Sequence, residues 1–321
     1  MSVSIVIPNY NGEKYLNKCL DSIMKQSLKP DEIIIVDNDS SDNSIDIINS
    51  YGDKIKLIRM DKNYGFSIAV NRGIRESKCE YVALLNNDTE LQDKWLEKLV
   101  ECISSDKDIF ACCSKMLRYD NRNIIDDAGD FYTALGWEQK IGDGAEDDTE
   151  HLVSREVFSA CAGAAIYRKS IFDVIGYFDE NFFAYMEDVD ISYRAKIYGY
   201  KNYYCADAKV YHIGSATSGS KYNEFKVKLA SRNNIYLIHK NMTLWQFEVN
   251  FIFILVGIVV KTIFFSLKGY GKAYISGVVE GLKNKKNIDK IRLKNNVYVY
   301  RKIEMELLKG MFKLIKERMA K

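Results

Sequence analysis

The chain lacks several familiar ligand-binding signatures. No GxGxxG follows its first apolar run, which argues against a dinucleotide site. No GxxxxGK[ST] occurs, which removes a P-loop. Its seven cysteines (Cys19, Cys79, Cys102, Cys112, Cys113, Cys161, Cys205) form no CxxC pair, so no zinc framework is visible. Their odd count and mostly apolar contexts fit reduced, buried thiols in a cytosolic setting. The opening Met-Ser-Val-Ser-Ile-Val-Ile-Pro is interrupted too early for a signal peptide and reads as a first strand.

What is present points to a packed core. An apolar share of 47% and 22 tyrosines exclude a disordered chain, and 321 residues suffice for one large domain or two smaller ones. The net charge is only +2, but it is unevenly spread. Residues 221–321 hold 21 Lys/Arg against 7 Asp/Glu, while residues 1–220 hold 25 against 37. An acidic body with a basic tail suggests that the tail faces something anionic, a lipid headgroup or a nucleic acid. A solvated basic helix pair is the plainer alternative.

The first hundred residues alternate strand and helix. Apolar β-rich runs at 3–7, 32–36, 55–59 and 81–85 alternate with helical spacing at 14–25, 41–48 and 67–75. The order βαβαβαβ predicts a parallel sheet with helices on its faces. Ligands of such sheets bind at the carboxyl ends of strands. Those ends carry Pro8-Asn9-Tyr10-Asn11, Asp37-Asn38-Asp39-Ser40, Asp61-Lys62-Asn63-Tyr64-Gly65-Phe66 and Asn86-Asn87-Asp88. Four polar ends on one edge suggest a polar ligand site. With few basic residues nearby, a diphosphate there would need a bridging divalent cation, and oxygen ligands suit Mg²⁺ or Mn²⁺. Further on, 109–114 reads as a fifth strand and 129–136 as a hairpin with Trp137 beside it. The acidic 142–150 segment reads as a mobile loop, either a lid over the site or a tolerated insertion.

The segment Phe182-Phe183-Ala184-Tyr185-Met186-Glu187-Asp188-Val189-Asp190 packs three carboxylates into four positions at the start of a predicted helix. The helix dipole favours anions there. A carboxylate shielded by rings suits a general base, although a capping cluster would share this composition.

These segments together resemble glycosyltransferase family 2, whose members are inverting, GT-A-fold enzymes using nucleotide-sugars. The likeness is greatest to the bacterial rhamnosyltransferase-like branch of cell-surface polysaccharide synthesis. It rests on the strand ends above, on Asn71-Arg72-Gly73, on 176–190 and on His212-Ile213-Gly214-Ser215-Ala216-Thr217, and covers roughly residues 3–220. The resemblance implies a Rossmann-like, mostly parallel central sheet flanked by helices, with a C-terminal helical extension. It implies Asp188 as general base with Glu187 beside it, and Asp190 and Trp137 on the acceptor side. Asp88 and His212 would hold the metal, although Asn86 replaces the acid usual at the first position of the DxD-type motif. Pro8, Tyr10 and Asn38 would frame the nucleobase, and Asn63, Gly65, Asn71, Asn86 and Asn87 the rest of the donor pocket. The donor would be a dTDP- or UDP-sugar, with dTDP-L-rhamnose favoured, and the acceptor a glycan or lipid-linked glycan.

The tail, 221–321, lies outside that likeness. Its stretch 249–267 is long enough to span a bilayer but contains Asn250, Lys261 and Ser266. An amphipathic helix pair lying on the cytoplasmic leaflet is the expectation, with a spanning or re-entrant segment, or a buried core or dimer interface, as alternatives. Lys283, Lys285, Lys286, Lys290, Arg292 and Lys294 would then face anionic lipid. This places the protein in the cytoplasm, peripheral on the inner face of the membrane, without a nucleic-acid partner and as a possible homodimer. The competing functions are a non-catalytic scaffold or sugar-binding member of the same fold and a nucleotidyltransferase. The first predicts loss of Asp88, Asp188 or His212, and the second a triphosphate loop after the first strand. Neither prediction fits this chain.

Overall fold

The computed structural model describes residues 1–214, 222–291 and 297–319. Its N-terminal half follows the alternation in the sequence: β1 (Val3–Asn9), α1 (Leu16–Met24), β2 (Glu32–Asp37), α2 (Ser44–Ser50), β3 (Lys56–Arg59), α3 (Phe66–Glu76) and β4 (Tyr81–Leu85). β1 shows why a sheet forms here. Val6 faces one apolar layer while Ile5 and Ile7 face the other, the period-two pattern of a strand covered on both sides. α1 buries Leu16, Cys19, Leu20 and Ile23, one helical stripe, against the second layer.

The parallel strands run in the order β3-β2-β1-β4. The chain reverses its direction of growth between β1 and β4, so their carboxyl ends flank the crevice where α/β sheets bind ligands. The predicted parallel pairing is found here. Beyond β4 the sheet becomes mixed. β5 (Thr89–Leu91), α4 (Trp95–Ser104), β6 (Ile109–Arg118), β7 (Ile125–Asp127), β10 (Arg155–Val157), β11 (Ala164–Arg168) and β12 (Lys201–His212) complete it. β11 joins β4 and β6 antiparallel, and β12 lies parallel to β6. The expected hairpin is present as β8 (Asp130–Tyr132) and β9 (Glu138–Lys140), with Trp137 in its turn.

The 142–150 segment is fastened, contrary to the mobile loop expected from its acidity. Asp147 pairs with the buried Lys115 and, at 2.8 Å, with Lys209, and Asp143 meets Arg118 at 2.8 Å.

α5 (Lys169–Ile175) and α6 (Glu187–Ile197) precede β12, and among the described residues α7 (Glu224–Asn241), α8 (Leu244–Leu267), α9 (Gly271–Asn284) and α10 (Val297–Met319) follow it. A third apolar cluster joins Tyr132 of the hairpin, Val189 and Tyr193 of α6, Leu237, Ile254 and Leu307. The division expected at residue 220 therefore does not mark a free-standing tail: α7 and α10 pack on the acidic helix itself. Arg292, Lys294 and Ser215-Ala216-Thr217, part of the sequence reading, lie outside the described residues.

α8 has two unlike faces. Gln246, Asn250, Ile254 and Gly257 point inward, and Glu304 of α10 accepts from Asn250 at 2.8 Å and Gln246 at 3.2 Å. Twelve of its 24 residues are large apolar side chains left exposed, among them Ile252, Leu255, Val259, Ile263 and Leu267. α9 adds Ile275, Val279 and Leu282. No core helix leaves such a face bare.

Candidate active site

The strand ends tie themselves together. Asn9 donates to Asp37 Oδ1 at 2.8 Å and to Ser40 Oγ at 3.2 Å, and accepts from Asn87 Nδ2 at 2.7 Å. β1, β2 and β4 are thus joined across the crevice. Asn87, expected in the donor pocket, is buried and holds this frame. Gly12 lies over the pair, where a Cβ would come within 2.3 Å of both side-chain amides.

Two further residues expected in the donor pocket bond to neighbouring backbone. Asn38 is buried. Its Nδ2 donates to the Gly65 carbonyl at 2.9 Å and its Oδ1 accepts from the Tyr64 amide at 3.2 Å. Both ends of the amide thus shape the 63–66 turn. Asn71 is buried and clamps α3 to the acidic loop through the Phe178 carbonyl at 2.8 Å and amide at 3.0 Å. Asn63 Oδ1 accepts from the Gly65 amide at 2.9 Å. Gly65 has φ +87°, and a Cβ there would meet the Phe183 carbonyl at 2.5 Å. Its close approach here is to the acidic loop. Pro8, Tyr10 and Asn86 stay partly exposed at the edge of the crevice.

Asp88 and His212 come together at the ends of β4 and β12, with His212 Nε2 3.5 Å from Asp88 Oδ1. The other ring nitrogen, Nδ1, is 2.8 Å from Asp126 Oδ2, which aims Nε2 at Asp88. Burial alone would lower the imidazole pKa. Hydrogen bonds to Asp126 and Asp88, with their charges, push it up to about 9 instead. Asp126 was not singled out in the sequence, although Asp126-Asp127-Ala128-Gly129-Asp130 crowds three acids into five positions.

The acidic loop is strained, and α7 restrains it. Phe183, Tyr185 and Met186 all have left-handed backbones, with φ of 62°, 69° and 70°. Such residues persist only where their surroundings hold them. Asn233 of α7 donates to the carbonyls of Phe182, Ala184 and Tyr185 at 2.7, 2.9 and 2.8 Å. The Phe183 carbonyl takes the Phe66 amide at 2.6 Å. This loop delivers Glu187, Asp188 and Asp190 into the first turn of α6.

The three acids end in different places. Asp190 is fully buried and meets Arg194 at 2.9 Å, Lys240 at 3.2 Å and Asn241 at 2.8 Å. These partners hold its carboxyl below its ordinary range despite burial. Asp190, expected on the acceptor side, staples α6 to α7. Glu187 is buried with Oε2 unpartnered, and burial and the Asp188 charge raise its pKa well above the usual range. It sits behind the loop, beside Asp188 in the first turn of α6. Asp188 alone of the three keeps contact with solvent. Burial raises its carboxyl, while the amides of Val189 and Ala162 pull it back. Gly163, next to Ala162, accepts from the Asn86 amide at 2.8 Å. Segment 162–163 thus joins the Asp188 carboxylate to the turn that carries Asp88.

The hairpin supplies the remaining wall. Lys140 lies 3.3 Å from Asp126 and 3.7 Å from Asp127. Burial pushes Asp127 up to about 6 and Glu138 up to about 7, with the Asp188 charge raising both. Trp137 is half-buried, and its indole N–H is taken by the Gly257 carbonyl of α8 at 3.2 Å.

Residues 4–176 match the model of glycosyl transferase family 2. Among characterised relatives, the glycosyltransferase GlyG of Streptococcus pneumoniae is 28% identical over 173 residues, which is 53% of this chain and 53% of GlyG. The O-antigen chain rhamnosyltransferase WbaN of Salmonella anatum is 27% identical over 228 residues, 70% of each chain. Among solved structures, Staphylococcus aureus TarS 1–349 with UDP-GlcNAc superposes with a TM-score of 0.59 at 18% identity, covering 95% of this chain and 91% of that one. GalNAc-T7 with UDP, GalNAc and Mn²⁺ gives 0.61 at 17%, covering 74% and 47%. These likenesses establish a GT-A-type sheet. With the family model covering more than half of its length, the chain belongs to glycosyl transferase family 2.

Proposed function

We propose that the chain is an inverting glycosyltransferase acting from a nucleotide-sugar onto a hydroxyl of a glycan or lipid-linked glycan. The observation that carries this reading is Asp188, the one carboxylate of its cluster open to solvent, tied through residues 162–163 to the turn bearing Asp88. The acceptor oxygen attacks the anomeric carbon on the face opposite the nucleotide. Its proton passes to Asp188 as the carbon–oxygen bond forms. The bond to the diphosphate breaks, the nucleotide leaves with the electron pair, and the configuration inverts.

Asp88 and His212 fit a single divalent cation. One carboxylate oxygen and one oriented imidazole nitrogen converge, a donor pair suited to Mn²⁺ and less to Mg²⁺. Among the described residues no group of three ligating side chains forms, so waters and phosphate oxygens would complete the shell. A bound cation would neutralise charge on the departing diphosphate. Mn²⁺ in GalNAc-T7 supports this choice, and the rhamnosyltransferase relative WbaN supports dTDP-L-rhamnose as the first donor to try.

The exposed face of α8 and α9 is the proposed membrane seat, lying flat on an anionic leaflet. Charge complementarity supports it: Lys268, Lys272, Lys283, Lys285, Lys286 and Lys290 cluster at the ends of these helices. A second copy burying the same face is the competing occupant, and it predicts no flotation with vesicles.

Calorimetric titration with dTDP and UDP, each with Mg²⁺, Mn²⁺ or chelator, tests the donor site. Metal-dependent tightening is expected. Failure of both nucleotides to bind would overturn the transferase reading in favour of a scaffold.

A further inference from the structure

A second cleft, of about 480 Å³, opens between β8, β10 and α10. Its size is that of a small-molecule site, and none of its lining residues comes from the ends of β1, β2, β3 or β4. Gly310 seats α10 at its edge, since a Cβ there would lie 2.6 Å from the Tyr132 carbonyl. Beside that contact α10 presents Lys302, Lys309 and Lys313, spaced seven and then four residues apart and so on one stripe. Lys313 stands 5.1 Å from the centre of the Phe131 ring. Lys309 has no ion pair among the described residues. Phe131, Ile141, Val157 and Phe158 give the cleft an apolar surface. Lys196 of α6 is buried against it, held between Glu156 at 3.1 Å and Glu306 at 3.0 Å. Lys302 lies 3.9 Å from the same Glu156.

Four lysines thus line the cleft against two glutamates and Asp130, so an anion is favoured there. Its kind follows from the rest of the wall. Glu156 and Glu306 lie among the lysines and repel the closely spaced phosphates of a nucleic acid. A bilayer is flat and does not enter a concave cleft. A saccharide carrying one carboxylate on a ring of hydroxyls matches every part. The carboxylate meets Lys302 and Lys309, the hydroxyls donate to the glutamates, and the C–H face of the ring lies on Phe131 and Phe158. The cleft is close to the reaction centre without being part of it. Lys196 follows Asp188 by eight residues of α6, about 12 Å along the helix. Two residues after Phe158, the Ala160 amide donates to Ser192 Oγ of the same helix at 3.2 Å.

We propose that the cleft between α10 and the β8–β10 wall is a binding site for an acidic saccharide, a sugar residue bearing a carboxylate. The site is read from this cleft alone. Its use rests on the glycosyl-transfer reading above: a polymer held here by one of its acidic residues stays at high local concentration while another of its residues is offered to Asp188.

The full chain is titrated by calorimetry with trigalacturonate and with its fully methyl-esterified, uncharged twin. Salt is kept at about 0.15 M, where screening beyond about 8 Å suppresses diffuse attraction. The wild type is expected to favour the free acid by about tenfold, the worth of one charge-assisted contact. The double variant Lys302→Met/Lys309→Met should erase that preference, and Lys302→Arg/Lys309→Arg should keep it. Lys285→Met/Lys286→Met, at the end of α9, should keep it too. No preference in the wild type overturns the site, as does a preference that survives Lys302→Met/Lys309→Met. Loss of preference in Lys285→Met/Lys286→Met also overturns it and gives the anion to α9. An oligonucleotide of equal charge that binds as tightly as trigalacturonate overturns the saccharide assignment, because charge alone would then be read. Titration with dTDP and UDP is run on the same samples. Failure of the wild type to bind nucleotide counts against the transferase reading, and the acid–ester comparison still decides the cleft.

Discussion

Asn233 donates its side-chain amide to the Tyr185 carbonyl at 2.8 Å, so a residue of the C-terminal helices fixes the backbone two peptide bonds before Glu187. The same amide serves the Phe182 and Ala184 carbonyls, and Asn233 has no exposed surface. Asn233→Ala strands buried carbonyls in a loop already held in left-handed conformations. The expected loss is about 2 kcal/mol or more of stability, by the cost of leaving such groups unpaired. Turnover should fall with it, while nucleotide affinity stays within about twofold, because the donor crevice is built by other elements. Asn233→Asp should be no better, since a carboxylate cannot donate. Paired measurements of urea midpoint, kcat and nucleotide Kd check this. Unchanged turnover would separate the loop from catalysis.

Asp126 should act on the metal through His212. With the 2.8 Å contact to Nδ1 removed in Asp126→Asn, the ring loses its strong acceptor and Nε2 is no longer directed at Asp88. Loss of such an outer partner weakens metal binding by about tenfold to a hundredfold. Manganese affinity read by electron paramagnetic resonance, without substrate turnover, is the direct measurement. Nucleotide binding in chelator should not change.

The acid limb of the pH–rate profile should report Asp188. Its carboxyl is raised by burial, and the base must be ionised to accept a proton. The rate therefore climbs with pH through a value above the ordinary carboxylate pKa of about 3.9. Glu187 and Asp127 interact with it, so the limb belongs to the group of acids. Asp188→Asn should remove the limb and reduce kcat by at least about a hundredfold, with nucleotide affinity retained. A limb that persists in the variant would assign it to another acid.

The parallel half of the sheet was legible because each strand, Val6-Ile7 or Ile34-Ile35-Val36, is a continuous apolar run bounded by helical spacing. The Glu187-Asp188-Val189-Asp190 cluster was legible as a group, but not the fate of each acid. Which carboxylate faces solvent depends on partners far away in sequence: Asp190 is taken by Lys240 and Asn241, some fifty residues on. The framework bonds of Asn38, Asn71 and Asn87 were not legible, because amides at strand ends serve ligands and backbone turns equally well. Only the register of neighbouring loops, such as Phe178 against Asn71, decides between the two. Asn233 carried no local signal at all, being one amide in an ordinary helix.

Asp130 offers a test of the acidic wall by stability alone. It is 1% exposed, and neither carboxylate oxygen has a hydrogen-bond partner. Burial, then the charges of Asp127, Glu138 and Asp188, raise its pKa well above the ordinary range. A carboxyl raised in the folded state keeps its proton after the unfolded chain has released it. The native state therefore loses stability as pH climbs from about 3.9 toward the folded value. Asp130→Asn removes that titration while keeping the shape. Its melting temperature, compared with the wild type, should improve steadily between pH 5 and pH 8, and Asp130→Ala, which leaves a void, should melt lower at pH 5. An offset between Asn and Asp that does not vary with pH would mean that Asp130 is ionised in the folded protein, with Lys140 as a cation favouring that charge.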